Sequence, residues 1–255
     1  MSVWDAYSAR IAANGSTPRE RTLLREKAFL AKKLPGTLSY KPLTINGEQQ
    51  SMAVLSSDNL NIKNLCSMPG EDIRNGSLVD WMDNKWLVIE RDADNEVYTR
   101  AKMKQCNYLL KWVTDDDVIV ERWCIVEDGT KYLIVETEDR DFIVTRGDSR
   151  IFLTLARDEF SVQLRRDSRF LIDDYESETV LAYRLTKPFK LGGSYNGEGV
   201  LNFVLAECNT EDSDNIPMHI ANYYDHFPRE ADPAAIAPGL PDAAGEGNNE
   251  RKAWF

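Results

Sequence analysis

From about Leu38 onward the chain alternates apolar and polar residues with a period of two, and no other feature limits its fold as strongly. Asn46-Gly47 separates Leu43-Thr44-Ile45 from Ser51-Met52-Ala53-Val54-Leu55. Asn-Gly tolerates positive φ at both central positions, which a tight two-residue hairpin requires. Ser77-Leu78-Val79-Asp80-Trp81, a turn at Met82-Asp83-Asn84, and Lys85-Trp86-Leu87-Val88-Ile89 predict a second hairpin. Asp92-Ala93-Asp94-Asn95 makes the next turn, and residues 96–113 continue as a strand-rich stretch. Short strands with a turn every 8–12 residues predict a small β-barrel domain over residues 37–114.

Asp115-Asp116-Asp117 is the expected joint, because three like charges disfavour packing and strand patterning restarts at Val118-Ile119-Val120. Apolar runs at 131–136, 151–155, 169–172, 180–185 and 200–205 predict a β-sandwich over residues 118–227. An immunoglobulin-like form of it rests on strand count alone, because the Cys…Trp…Cys hallmark is not recognisable. Residues 192–199 form the most glycine-rich loop. The expected fold class is mainly β, with a helical arm before the two β domains and a flexible tail after them. Trp81, Trp86, Trp112 and Trp123 stand at strand positions and are expected in the cores, since large rings dominate small β cores.

The arm, residues 1–36, reads as helical. Trp4, Tyr7 and Ile11 suggest a short amphipathic helix stopped at Asn14-Gly15. Thr17-Pro18-Arg19-Glu20 is a capping box with proline at the first helical position. Leu23, Leu24, Phe29, Leu30 and Leu34 supply spaced apolar positions until Pro35-Gly36. Net charge of the 255 residues is −11, yet the arm holds seven Arg/Lys against three Asp/Glu, so +4 on the arm leaves −15 on the remainder. Trp4, Arg19, Arg21, Arg25, Lys32 and Lys33 are the candidate interface residues; the alternative for the basic face is simple solvation. The tail, 228–255, has fourteen Pro, Ala or Gly among 28 residues and cannot offset its own ordering entropy. Its terminal Trp254-Phe255 reads either as a docking anchor or as an exposed, frayed end.

Catalytic patterns do not assemble. Cys66, Cys106, Cys124 and Cys208 are far apart, and Met1-Ser2-Val3-Trp4-Asp5 carries no export signal, so reduced thiols are expected. The two histidines, His219 and His226, stand in no nucleophile-elbow context. The calcium-loop-like opening at Asp92 puts Val97 where glycine belongs and Met103 where glutamate belongs. The 192–199 loop lacks the GK[ST] of a phosphate cradle. Asp173-Asp174 and Asp139/Asp141 read first as charged turns, and Arg146-Gly147-Asp148 as a turn. The sequons at Asn14 and Asn75 read as accidents of composition. No enzyme activity, metal or cofactor is expected. No apolar run approaches the roughly 18–20 residues of a spanning helix, so no membrane partner is expected. The acidic body disfavours a phosphate backbone.

A family pattern lies in the first half. Arg10-Ile11-Ala12-Ala13-Asn14-Gly15-Ser16-Thr17-Pro18-Arg19-Glu20-Arg21 opens it, and Asn59-Leu60-Asn61-Ile62-Lys63 and Cys66-Ser67-Met68-Pro69-Gly70-Glu71-Asp72 come next. Gly76-Ser77-Leu78-Val79-Asp80-Trp81, Trp86-Leu87-Val88-Ile89-Glu90, Asp94-Asn95-Glu96-Val97-Tyr98 and the run from Met103 to Trp112 complete it. In this order the motifs resemble the head-closure proteins (head-tail connectors or stoppers) of long-tailed bacteriophages, over residues 1–113. The resemblance implies a homo-oligomeric ring in the virion neck, assembled in the host cytoplasm. Such a ring is added below portal and adaptor proteins, close to packaged DNA, and presents the surface that tail proteins bind. The second β region exceeds the compact form of that family. A β accessory module recognising capsid or host glycans is the competing expectation.

Overall fold

The computed structural model describes residues 3–7, 15–92, 94–129, 150–173, 180–190, 194–195 and 197–228. Helix α1, Pro18–Lys33, runs through a 3-10 turn, Leu34–Gly36, into the first β domain. Strands β1 (Tyr40–Ile45), β2 (Glu48–Ser56), β3 (Ile62–Cys66), β4 (Leu78–Trp81), β5 (Asn84–Asp92) and β6 (Arg100–Gln105) close into a barrel in the order β1-β2-β3-β6-β5-β4. Both predicted hairpins are present. Asn46 and Gly47 take φ of 49° and 89°, and Met82 and Asp83 take 50° and 60°. Inward positions Leu43, Ile45, Met52, Val54, Leu65, Val79, Trp86, Val88 and Met103 fill the barrel.

Strands β7 (Tyr108–Val113), β8 (Ile119–Asp128), β9 (Arg150–Ala156), β10 (Arg169–Ile172), β11 (Leu181–Phe189), β12 (Ser194–Tyr195) and β13 (Glu198–Cys208) build the second domain. Its main path runs β10-β11-β13-β9-β8-β7, with β12 paired to β13. The mainly β reading holds, but these strands curl as one sheet instead of stacking as two. The edges β7 and β10 meet through side chains: the Tyr108 hydroxyl donates to Leu171 O at 3.2 Å, and Trp112 meets Phe170 edge-on. Tyr108, Leu110 and Trp112 alternate inward along β7, joining Phe170, Leu201, Phe203 and Leu205 in the core.

The expected joint at Asp115-Asp116-Asp117 is instead the turn of the β7–β8 hairpin, with Asp117 at φ 58°. The triplet's charges are accommodated at the surface, where Arg165 and His226 stand beside Asp115 and Asp117. The chain passes between domains at Cys106-Asn107. β7 therefore belongs to the second domain. The tryptophan expectation holds: Trp86 and Trp112 are core residues, and Trp81 and Trp123 are half-buried against core clusters.

A third apolar cluster joins the two domains. Leu87, Cys106, Ile125 and Val200 are buried together, with Leu78, Ile89, Trp123 and Ala156 packed around them. Leu87 lies between Trp86 and Val88, both in the barrel core, so period two turns it outward. Ile125 and Val200 stand the same way beside Cys124 and Leu201 of the second core. Each strand thus feeds its own core and the seam. Lys104 with Glu127, and Arg74 with Glu198 at 3.6 Å, bridge the rim.

Gly76 marks the tightest point. Its φ is +85°, and a methyl group added there would sit 2.1 Å from the carbonyl oxygen of Gly199. The C-terminal segment is tied down separately. Asp214 and Asn222 accept from Arg169 Nη1 at 3.0 and 2.7 Å, with Asp214 fully buried. Gly76→Ala must therefore strain the backbone and push the seam apart, costing more than about 2 kcal/mol. Gly47→Ala, also at positive φ but facing open space, costs only about 1 kcal/mol. Urea unfolding of both variants checks the difference.

Candidate interface: the basic arm and its groove

Local chemistry makes α1 start where it does. Thr17 is extended at φ −111°, and its hydroxyl accepts the Glu20 N–H at 3.2 Å. Glu20 reaches back to accept from the Ser16 hydroxyl at 2.6 Å, the Ser16 N–H at 2.7 Å and the Thr17 N–H at 3.2 Å. The Ser16 hydroxyl, then the backbone N–H groups, hold the Glu20 carboxyl below the usual carboxylate range. Gly15 is buried at φ +102°, and a methyl group there would lie 2.8 Å from Arg21 N. The predicted capping box is a real feature of the arm, while the end of the first helix before Gly15 lies outside the described residues.

For a helix so well capped, α1 is unusually bare: none of its sixteen residues is buried. Leu23, Lys27, Leu30 and Leu34 form a half-buried stripe toward the barrel. Leu24 (47% exposed) and Phe29 (55%) face away from it. One tertiary ion pair, Arg19 to Glu96, fastens the N-terminal end, and it is solvent-exposed on both sides, where such pairs contribute little. Among the described residues Arg25 meets the neighbouring Glu26, at 3.7 Å. Arg21, Lys32 and Lys33 are exposed. Trp4 lies in a helical segment at residues 3–7, 73% exposed and edge-on to Tyr7. Trp254 and Phe255 lie outside the described residues, as do the expected tail from 229 on, Asp139, Asp141 and the Arg-Gly-Asp turn.

Between helix and barrel is an apolar groove of about 170 Å³, lined chiefly by Leu30, Leu34, Ala53, Leu55, Cys66 and Tyr98. Sequence reasoning missed it, although its signal was present. Met52-Ala53-Val54-Leu55 breaks strict alternation. Met52 and Val54 enter the barrel core, which turns Ala53 and Leu55 toward the arm.

The nucleophilic and titratable groups are placed structurally. Burial pushes the Cys106 thiol up to about 12 against a smaller opposing pull from Lys85. It also raises Cys124 and, against Arg100, Cys66. The four cysteines are free thiols. His219 Nε2 lies 3.3 Å from Asp173, and His226 Nδ1 lies 2.7 Å from Asp117, so each histidine ties the C-terminal segment to the second domain. Among the described residues no group of three or more His, Cys, Asp or Glu gathers as a metal site, and no helix is long and apolar enough to cross a membrane.

Residues 20–105 match the family model of the YomX N-terminal domain, a phage-associated domain family. The match ends where β6 ends, so it covers α1 from Glu20 onward and the closed barrel and leaves the second domain outside. No curated protein matches. A solved structure described as MrkH, "a novel c-di-GMP dependence transcription regulatory factor", is similar at 8% identity, covering 75% of this chain and 86% of its own, with a TM-score of 0.24. At that score the likeness supports no structural or functional argument.

Because no residue of α1 is itself fully buried, deleting residues 1–36 is expected to leave both β domains folded. The expected urea midpoint of the remaining body stays within the range that surface changes produce, about 0.5 kcal/mol. A loss of several kcal/mol would show that the arm belongs to the core.

Proposed function

We propose that this chain is a structural, non-enzymatic virion protein of the phage neck. In this reading it forms a ring between portal or adaptor and tail, closes the DNA-filled head, and presents the surface to which the tail attaches. The observation that carries the reading is the arm: a fully capped helix, net basic, with no buried residue, joined to an acidic body. A helix of this length draws most of its stability from packing an apolar face. Leu24 and Phe29, 47% and 55% exposed, are only partly covered within the described residues. A neighbouring copy would complete that cover, and the same contact would pair the basic arm with an acidic surface.

The phage-associated domain match over most of α1 and the first barrel supports the setting. A closed barrel suits a ring because it exposes no sheet edge to uncontrolled pairing. The competing module, recognising capsid or host glycans, calls for exposed aromatic rings lining a groove on 118–227. Phe189, 45% exposed, is the exposed ring among the described residues there.

Mass photometry of the full chain, alone and with purified portal complexes, tests the proposal. The expected result is a closed oligomer that binds portal and weakens with added salt, since screening shortens the reach of exposed charges. Reversing Arg19, Arg21 and Arg25 to Glu should abolish assembly while sparing the fold. Monomers at every concentration and no portal binding would contradict it.

A further inference from the structure

The second sheet is curled but not laced shut. Its path ends at β10 and β7, which meet through Tyr108 with Leu171 and Trp112 with Phe170 instead of through a strand ladder. Residues 209–228 cross this junction, touching β10 first and the β7–β8 hairpin last. We infer that the segment is a two-stage strap, with a buried anchor on β10 and a weak outer clasp on the β7–β8 turn, and that the clasp opens while the anchor stays closed. The inference is independent of the ring reading.

The anchor is Arg169, the first residue of β10, whose side chain is only 7% exposed. Its Nη1 donates to Asp214 at 3.0 Å and to Asn222 at 2.7 Å, and its Nη2 to Asp214 at 2.9 Å and to Asn209 O at 2.8 Å. Glu211 adds a second carboxylate, 3.0 Å from Nη1. Asp214 also accepts the N–H groups of Glu211 at 2.8 Å and Asn222 at 2.9 Å, so the loop wraps around one buried carboxylate. Ala221 packs with Leu171 and Ala182, and the fully buried Ile220 is bridged to Asn215 through both backbone groups. His219 stands 3.3 Å from Asp173, just after β10. Breaking a buried pair from one side shifts an equilibrium by roughly a hundredfold or more.

Beyond Asn222 the chemistry changes. Asn222 takes the left-handed conformation at φ 56° and begins the short helix Tyr223–His226, which packs against β7 and has no buried residue. Two contacts hold this piece. His226 Nδ1 lies 2.7 Å from Asp117, which is 60% exposed, and the Tyr224 N–H donates to Ser213 O at 2.8 Å. Asp115 and Asp116 share the turn with Asp117, Asp225 adjoins His226 in sequence, and Arg165 lies 3.4 Å from Asp115. The clasp therefore sits among exposed charges, where salt screens it and a pair contributes only about twofold to fivefold. Tyr223 meets Tyr224 and Phe227 ring to ring, at 5.3 and 4.9 Å. These contacts let the outer piece keep its shape and swing as a unit about Asn222.

The unequal ends set the order of opening. Release of the clasp uncovers the part of β7 on which the short helix rests, while β10 stays capped by the anchor. Ionic conditions thus act on residues 223–228 and leave 209–221 in place.

Hydrogen exchange of the full-length chain tests this order, read by mass spectrometry on peptides that divide 209–221 from 223–228, at fixed, mildly acidic pH. Residues 223–228 should exchange roughly tenfold or more faster than 209–221. Asp117→Gly removes the clasp without straining the turn, since glycine accepts the φ of 58° found there. In this variant exchange in 223–228 should rise about twofold to fivefold, with 209–221 changed by less than about twofold. Added salt should reproduce the rise in the unaltered chain and add little in the variant. Equal acceleration of both peptides would overturn the inference by showing one cooperative strap, and so would unchanged exchange of 223–228. As a second measurement, Arg169→Lys keeps the charge but loses the forked contacts. Exchange of 209–221 should then accelerate roughly tenfold or more; an unchanged rate would remove the anchor and with it the inference.

Discussion

The small apolar seam of Leu87, Cys106, Ile125 and Val200 is the constraint on which the rest of the molecule depends. Each β domain could in principle bury its own core alone. The seam makes them a single block, because the residues forming it alternate with residues of the two cores on the same strands. Moving one domain against the other would disturb β5, β8 and β13 together. The approach of Gly76 to Gly199 leaves no space for a side chain, so the spacing between domains is set by backbone contact. The salt bridges at the rim add orientation more than stability.

A rigid body gives meaning to the elements outside it. The arm is ordered locally by its cap and held to the barrel by a half-buried stripe and one exposed ion pair. Its apolar residues are left only partly covered. The arm's net positive charge and the net negative charge of the rest of the chain meet at Arg19 and Glu96. Burial pushes Cys66, Cys106 and Cys124 toward the neutral thiol, and the histidines fasten a surface segment.

Much of this was legible in the sequence. Thr17-Pro18-Arg19-Glu20 and Asn46-Gly47 have local physics strong enough to fix their conformations without tertiary help. Residues whose meaning depends on distant partners were misread. Asp115-Asp116-Asp117 looked like a boundary because charge density marks turns and linkers alike, and only the pairing of β7 with β8 separates them. The seam and the groove were both encoded as breaks in period two, Trp86-Leu87-Val88 and Met52-Ala53-Val54-Leu55. A break says that both faces of a strand are covered; it does not say by what. The candidate basic residues lie on an exposed helix, but the groove beside them needed the barrel's outer face to be seen.

If the seam unites the two β domains, they must unfold together. Scanning calorimetry of the body lacking residues 1–36 measures this most directly. The account predicts one transition in which the calorimetric and van't Hoff enthalpies agree, as a single cooperative unit requires. Two separable transitions, one for each domain, would contradict it.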